Sequence, residues 1–163
     1  MAKKIFLIFA IFLISLNCGQ KKTDPNDDRS DNGGFVRFAV EGKAMHDSYF
    51  VAQFTPAGDL LESDNLQLYN FNPGSKKFPQ LLMDVNLKQS DLGKWQSQTL
   101  ATDVLAFSVS PQSPPLQSTG QVKILQVSDK FVQGSFSGEL VHPQTGKIYS
   151  IHGEFKGVLK INI

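Results

Sequence analysis

The side chains in this chain most able to do chemistry are one cysteine, Cys18, and three histidines, His46, His142 and His152. A thiol can be a nucleophile, a metal ligand, a disulfide partner or a point of lipid attachment, and the absence of a second cysteine removes the internal disulfide. The histidines fit no helical or short-loop metal pattern, so a surface or turn-capping role is expected of each. Asp47 follows His46 directly, and neighbours on a strand point to opposite faces, which separates that acid/base pair. The segment GSFSG at 134–138 has the outline of the nucleophile elbow G-x-S-x-G, but Phe136 stands at the serine position. Asp24, Asp27, Asp28 and Asp31 cluster without the glycine and closing glutamate of an EF-hand loop. The expectation is a protein without catalytic residues, metal or cofactor, and it is not expected to be an enzyme.

Cys18 is defined by what precedes it. MAKK supplies a short basic region, and IFLIFAIFLISL at 5–16 supplies an apolar run broken by one serine. That run is about half of the ~20 residues that cross a bilayer as a helix, so it reads as a signal peptide and not as a permanent span. The run ends at SLNCGQKK, with the chain's single cysteine at the point of cleavage. Here the chain resembles bacterial lipoproteins, whose lipobox directs diacylglycerol thioether attachment to its cysteine; Ser15 stands where leucine is preferred and Asn17 where a small residue is usual. The resemblance implies removal of residues 1–17 and a membrane anchor through lipid at Cys18. Two or three acyl chains, at about 0.8 kcal/mol per buried CH₂, hold a protein on a membrane without crossing it. Gly19 and Gln20 follow the cysteine in place of the aspartate that retains such proteins at an inner membrane, which favours the outer membrane.

Charge narrows the partners. Sixteen basic residues face 15 acidic ones in the whole chain; loss of Lys3 and Lys4 leaves 14 − 15 = −1. A near-neutral body with only SKK at 75–77 clustering positive charge does not match the basic face that nucleic acid requires.

The elements that must position any site begin after a polar stretch. GQKKTDPNDDRSDNGG at 19–34 carries no residue able to anchor a core and reads as a tether, with a root-mean-square reach of about 20–24 Å. The β-domain is expected over 35–163, following a signal peptide at 1–17 and the lipidated cysteine and tether at 18–34. FVRFAVEG, SYFVAQF and LQLYNF read as strands ended by turns. QLLMDVNLK alternates most cleanly, with Leu81, Met83, Val85 and Leu87 on one face and Leu82, Asp84, Asn86 and Lys88 on the other. VLAFSVS and QVKILQV follow. AGDLLESDNL is the stretch that suits a helical turn, and the prolines of PQSPPLQSTG predict an irregular loop. The fold class expected is all-β: an antiparallel β-sandwich or a flattened open β-barrel of about eight or nine strands.

A repeat closes the chain. GSFSGEL at 134–140 returns as GEFKGVL at 153–159, both fitting G-x-F-x-G-x-L. Between them, VHPQTGKIY contains the turn residues Pro143 and Gly146. With Gln144 and Thr145 at the tip, an antiparallel hairpin pairs residues whose numbers sum to 289. Phe136 then faces Gly153, and Phe155 faces Gly134, so each ring covers a glycine on the neighbouring strand and pins the register. The opposite face pairs Ser135 with Glu154, Ser137 with His152 and Glu139 with Ser150, with Val141 and Ile148 as its one apolar pair. The repeat is thus a packing device, and Gly138 and Gly157 allow the strands to bend.

VEGK, LGKW, GQVKILQVSDKFVQGSFSGEL and IHGEFKGV, in that order over 35–160, resemble a family of small β-rich bacterial lipoproteins. The resemblance implies the fold and an envelope location, and it carries over no catalytic residue. Aromatics at strand ends and turns, Tyr49, Phe50, Tyr69, Phe71, Phe78 and Trp95, are expected to be core or rim, with Trp95 and Tyr69 as candidate ligand contacts. The function expected is that of a lipid-anchored binding or interaction module, engaging a protein, a glycan or an apolar ligand. The other readings are a carrier of a small apolar ligand in the envelope and a purely structural envelope protein.

Overall fold

The computed structural model describes residues 33–58, 63–72, 74–87 and 92–162. Cys18, the signal peptide, the aspartate cluster at 24–31 and Lys88 lie outside the described residues. Residues 72–76 group apart from the β-domain, and the account below concerns the described residues of that domain.

Eleven strands form among the described residues: β1 Phe35–Val40, β2 Lys43–Asp47, β3 Val51–Thr55, β4 Asp64–Tyr69, β5 Gln80–Leu87, β6 Thr99–Ala101, β7 Val104–Ser108, β8 Leu116–Ser118, β9 Gly120–Val127, β10 Phe131–Val141 and β11 Ile148–Ile161. The domain is all-β, as the alternation predicts. The count exceeds the eight or nine expected because β2, β6 and β8 are five, three and three residues long. Runs that short hold too few alternations to show a period. The short strand β8 lies within the proline-bearing segment expected to be an irregular loop, and begins directly after Pro114 and Pro115. A helical turn falls at Leu92–Trp95; of AGDLLESDNL, where one is expected, residues 59–62 lie outside the described residues and Asp64, Asn65 and Leu66 begin β4. Among the described residues no helix is long and apolar enough to cross a membrane.

The strand order is β2-β1-β11-β3-β4-β5-β7-β8-β10-β9-β6, and a further pairing of β10 with β11 closes a ring through β11, β3, β4, β5, β7, β8 and β10. Strand β11 makes this closure possible by its length of 14 residues. Its first part lies between β10 and β1, and its last four paired residues, Val158 to Ile161, lie against β3. That last pairing is parallel, so the sheet is mixed and not wholly antiparallel. Parallel closure is invisible to local pattern, since it joins residues about a hundred positions apart. Strands β2 and β6 are the two free ends of the order.

The β10–β11 register is the one derived from the repeat: Phe136 pairs with Gly153, Gly134 with Phe155, Ser137 with His152 and Val141 with Ile148. The glycines are there because neighbouring backbone and phenylalanine side chains together occupy their side-chain space: an added Cβ would first meet the Arg37 carbonyl oxygen at Gly153 and the Lys123 carbonyl oxygen at Gly134, with the phenylalanines next. A Cβ at Gly153 would stand 2.8 Å from Phe136 Cε1, and one at Gly134 would stand 2.9 Å from Phe155 Cζ. Strand β1 extends the same device, since Phe38 pairs with Gly153 from the other side. The rings of Phe38 and Phe136 therefore approach to 6.4 Å over that glycine, and Phe38 meets Phe107 of β7 edge-on at 5.6 Å. Phe50 and Phe155 meet tilted, with ring centroids 5.5 Å apart. These side chains, with Leu66, Leu68, Leu81, Met83, Val85 and Leu140, fill the interior of the ring. Burial of each such side chain contributes roughly 1.5–3 kcal/mol.

Gly157 serves the closure itself. A Cβ there would stand 3.0 Å from both the Cβ and the backbone nitrogen of Ala52, so the glycine lets β3 approach β11. One buried polar group bridges strands at the end of the domain. Asn70 accepts from the Leu81 amide at 2.7 Å and donates to the Pro79 carbonyl at 3.0 Å and to Asp47 at 3.2 Å.

Candidate functional site

The outer face of β2, β1, β11 and β10 is built by the pairings that build the core. Alternation puts the aromatic and aliphatic residues inward and leaves Arg37, His46, Glu154 and Ser135 outward. Register then aligns them: His46 pairs with Arg37, Arg37 with Glu154 and Glu154 with Ser135, giving one row across four strands. The next outward row is Ala44, Ala39, His152 and Ser137. Small side chains in that row sit beside long ones in the first, and the result is an open groove of about 820 Å³. Three consecutive residues of the free-ended strand β2, Ala44, Met45 and His46, line one side.

The groove carries both signs of charge. Arg37 Nη1 donates to Glu154 Oε1 at 3.4 Å, with the two side chains 63% and 60% exposed. Such a pair is worth about 0.2–1 kcal/mol, so either partner can turn to a ligand at little cost. The Arg37 guanidinium also lies over the Phe35 ring, 5.0 Å from its centroid. Two imidazoles, a guanidinium and a carboxylate over an alanine floor can hydrogen-bond and ion-pair a bound chain. Ser137 and His152 face each other in register, and no hydrogen bond joins them. Among the described residues no group of three or more His, Cys, Asp or Glu stands where it could hold a metal ion.

The histidines behave as their positions predict. His46 is exposed while Asp47 is buried, so the strand does separate them. His142 caps the β10–β11 turn, its Nδ1 accepting from the Gln144 and Thr145 amides at 3.3 and 3.4 Å. His152 faces outward opposite Ser137.

The aromatic candidates divide. Trp95 is 5% exposed and packs into the core, with its Nε1 lacking a hydrogen-bond partner among the described residues. Tyr49, Phe50 and Phe71 are also buried. Tyr69 is half-buried on the outer face of β4, where its hydroxyl donates to Gln53 Oε1 at 2.8 Å. Burial, with Tyr49 nearby, pushes its phenol up to about 12. The structure thus leaves Trp95 and Tyr69 on different sides of the wall. Sequence reasoning missed Arg37 and Glu154, which lie 117 residues apart and meet only through the β1–β11 pairing. The one available signal was the alternation of FVRFAV, which puts Arg37 on a wet face. Compared with family models, with curated proteins and with solved structures, the chain finds no match.

Proposed function

We propose that this chain is a lipid-anchored protein of the cell envelope, held at the outer membrane through Cys18, whose β-domain binds a protein partner non-covalently along the groove of β2, β1, β11 and β10. The observation that carries the reading is the groove's position at a free strand end: among the described residues the backbone of β2 is paired on one side only, so an extended segment can add to it while its side chains meet Arg37, Glu154 and the histidines. A small-ligand carrier would need interior room, and the space inside the ring is taken by Phe38, Phe107, Phe136 and Met83. The tether at 19–34 gives the domain the reach to meet partners near the membrane.

A photo-crosslinking residue in place of Ala44 tests this in intact envelopes, with the same residue at the exposed Val109 as control. A discrete adduct at position 44 that is absent at 109 and lost on Arg37→Glu is expected. Identical adduct patterns at both positions would contradict it.

A further inference from the structure

The outer face of β3, β4 and β5 differs in kind from the face that bears the groove. Its register aligns Gln53 with Gln67 and Gln67 with Asp84, and beside that row aligns Thr55 with Asn65 and Asn65 with Asn86. Asparagine and aspartate are depleted in strands, where they neither pack well nor favour the extended backbone. Asn65, Asn86 and Asp84 on adjoining strand positions run against that propensity, the kind of departure that marks a site.

These side chains are locked to one another. Asn65 Nδ2 donates to Asp84 Oδ1 and to Asn86 Oδ1, and Gln67 Nε2 donates to Asp84 Oδ2 at 3.0 Å. Tyr69 holds Gln53 in the same way. The Asp84 carboxylate thereby accepts from two amide donors. Each side-chain amide keeps unused capacity: among the described residues Gln67 Oε1, Asn65 Oδ1, Gln53 Nε2 and Asn86 Nδ2 have no partner. The face is therefore an array of amide donors and acceptors held around the Asp84 carboxylate and bordered by the Tyr69 ring.

That array does not suit a phosphate or another polyanion, which wants arginine and lysine. It does suit vicinal hydroxyls, each a donor and an acceptor at once, presented by a ring whose C–H face can lie on an aromatic. Rigid side chains lose little entropy when they bind, which favours a weakly attractive, highly hydrated ligand. We propose that the outer face of β3–β4–β5 is a binding site for an uncharged oligosaccharide, read by Gln53, Asn65, Gln67 and Asn86 with Tyr69 as its apolar platform. The inference rests on the reading of the domain as a binding module but uses none of the groove residues.

The test uses the full-length protein in a detergent that contains no sugar. Cellohexaose, chitohexaose and maltohexaose serve as neutral probes and a heparin hexasaccharide as the charged one, with binding read by saturation-transfer NMR and calorimetry. Binding of at least one neutral probe in preference to heparin is expected. Gln67→Ala and Asn86→Ala should each weaken it about tenfold, the loss of one or two hydrogen bonds, and Arg37→Ala on the groove face should leave it unchanged. No binding of any neutral probe, a preference for heparin, or affinity unaffected by both amide substitutions would overturn the proposal. Asn86 is exposed, so Asn86→Ala decides the matter even if Gln67→Ala unfolds the domain. A failed crosslink at Ala44 would leave this site standing, and a failed sugar titration would leave the groove standing.

Discussion

Phenylalanine over glycine is the unit from which this domain is assembled. Phe136 over Gly153 and Phe155 over Gly134 each fill the volume a side chain would need, so neither member can change alone. Phe136→Ala or Phe155→Ala should destabilise the domain by about 3–5 kcal/mol in denaturant melts; a change near zero would show that the rings do not pack as described. Trp95 belongs to the same category, and Trp95→Ala should cost about 3–5 kcal/mol. Trp95→Phe should cost much less, because the indole nitrogen it removes has no partner to lose. Equal losses for the two substitutions would place an unseen acceptor at Nε1. Asp84 yields a pH prediction. Burial lifts its carboxyl above the ordinary range, the hydrogen bonds from Asn65 and Gln67 pull it back, and Asp103 adds to the rise. The folded state then holds the proton more tightly than the unfolded one, so wild-type stability falls as pH rises from the ordinary carboxylate value through the raised one. Asp84→Asn removes that fall. The stability of the variant relative to wild type should therefore grow with pH across the carboxylate range and level off above it; parallel curves for the two proteins would contradict the assignment.

Strand β11 is the element on which the rest depends, because it pairs with β1, β3 and β10 in turn. Its parallel contact with β3 is fastened by the Val158 amide to the Phe50 carbonyl at 3.0 Å and the Asn162 amide to the Phe54 carbonyl at 2.9 Å. Gly157→Val would push a side chain into Ala52 and should cost about 1–3 kcal/mol. Hydrogen exchange should show the Val158 and Asn162 amides losing protection before the amides shared by β10 and the first part of β11; uniform loss would mean that the closure is not a separate contact. This division also explains what could be read in advance. The β10–β11 hairpin was legible to the residue because its glycines, its rings and its turn all constrain one register. The core face of β5 was legible because eight residues alternate without interruption. The ring closure was not, since no local feature of VAQF indicates that it lies beside Val158–Ile161. Nor was the groove or the amide face, because each depends on which strands become neighbours, and the short strand β2 gave too few residues to be seen.

At the scale of the whole molecule, the proposal joins a lipid anchor at Cys18 to the β-domain. Under the proposed function the hydrophobic run and Cys18 would determine where the chain is held, and a ring whose interior is filled leaves its outer faces open to partners. The two faces suit different tasks: one carries exposed charges beside a free strand, and the other carries interlocked amides. The attachment comes first, since every partner proposed here depends on the compartment in which the domain is displayed. The most direct test is detergent phase partition of the full-length protein and its Cys18→Ser variant after growth with labelled palmitate. The account predicts label on the wild type and its recovery with the detergent and the outer membrane, with the variant unlabelled and released from the membrane. A variant that partitions as the wild type does would contradict the lipid anchor and the placement built on it.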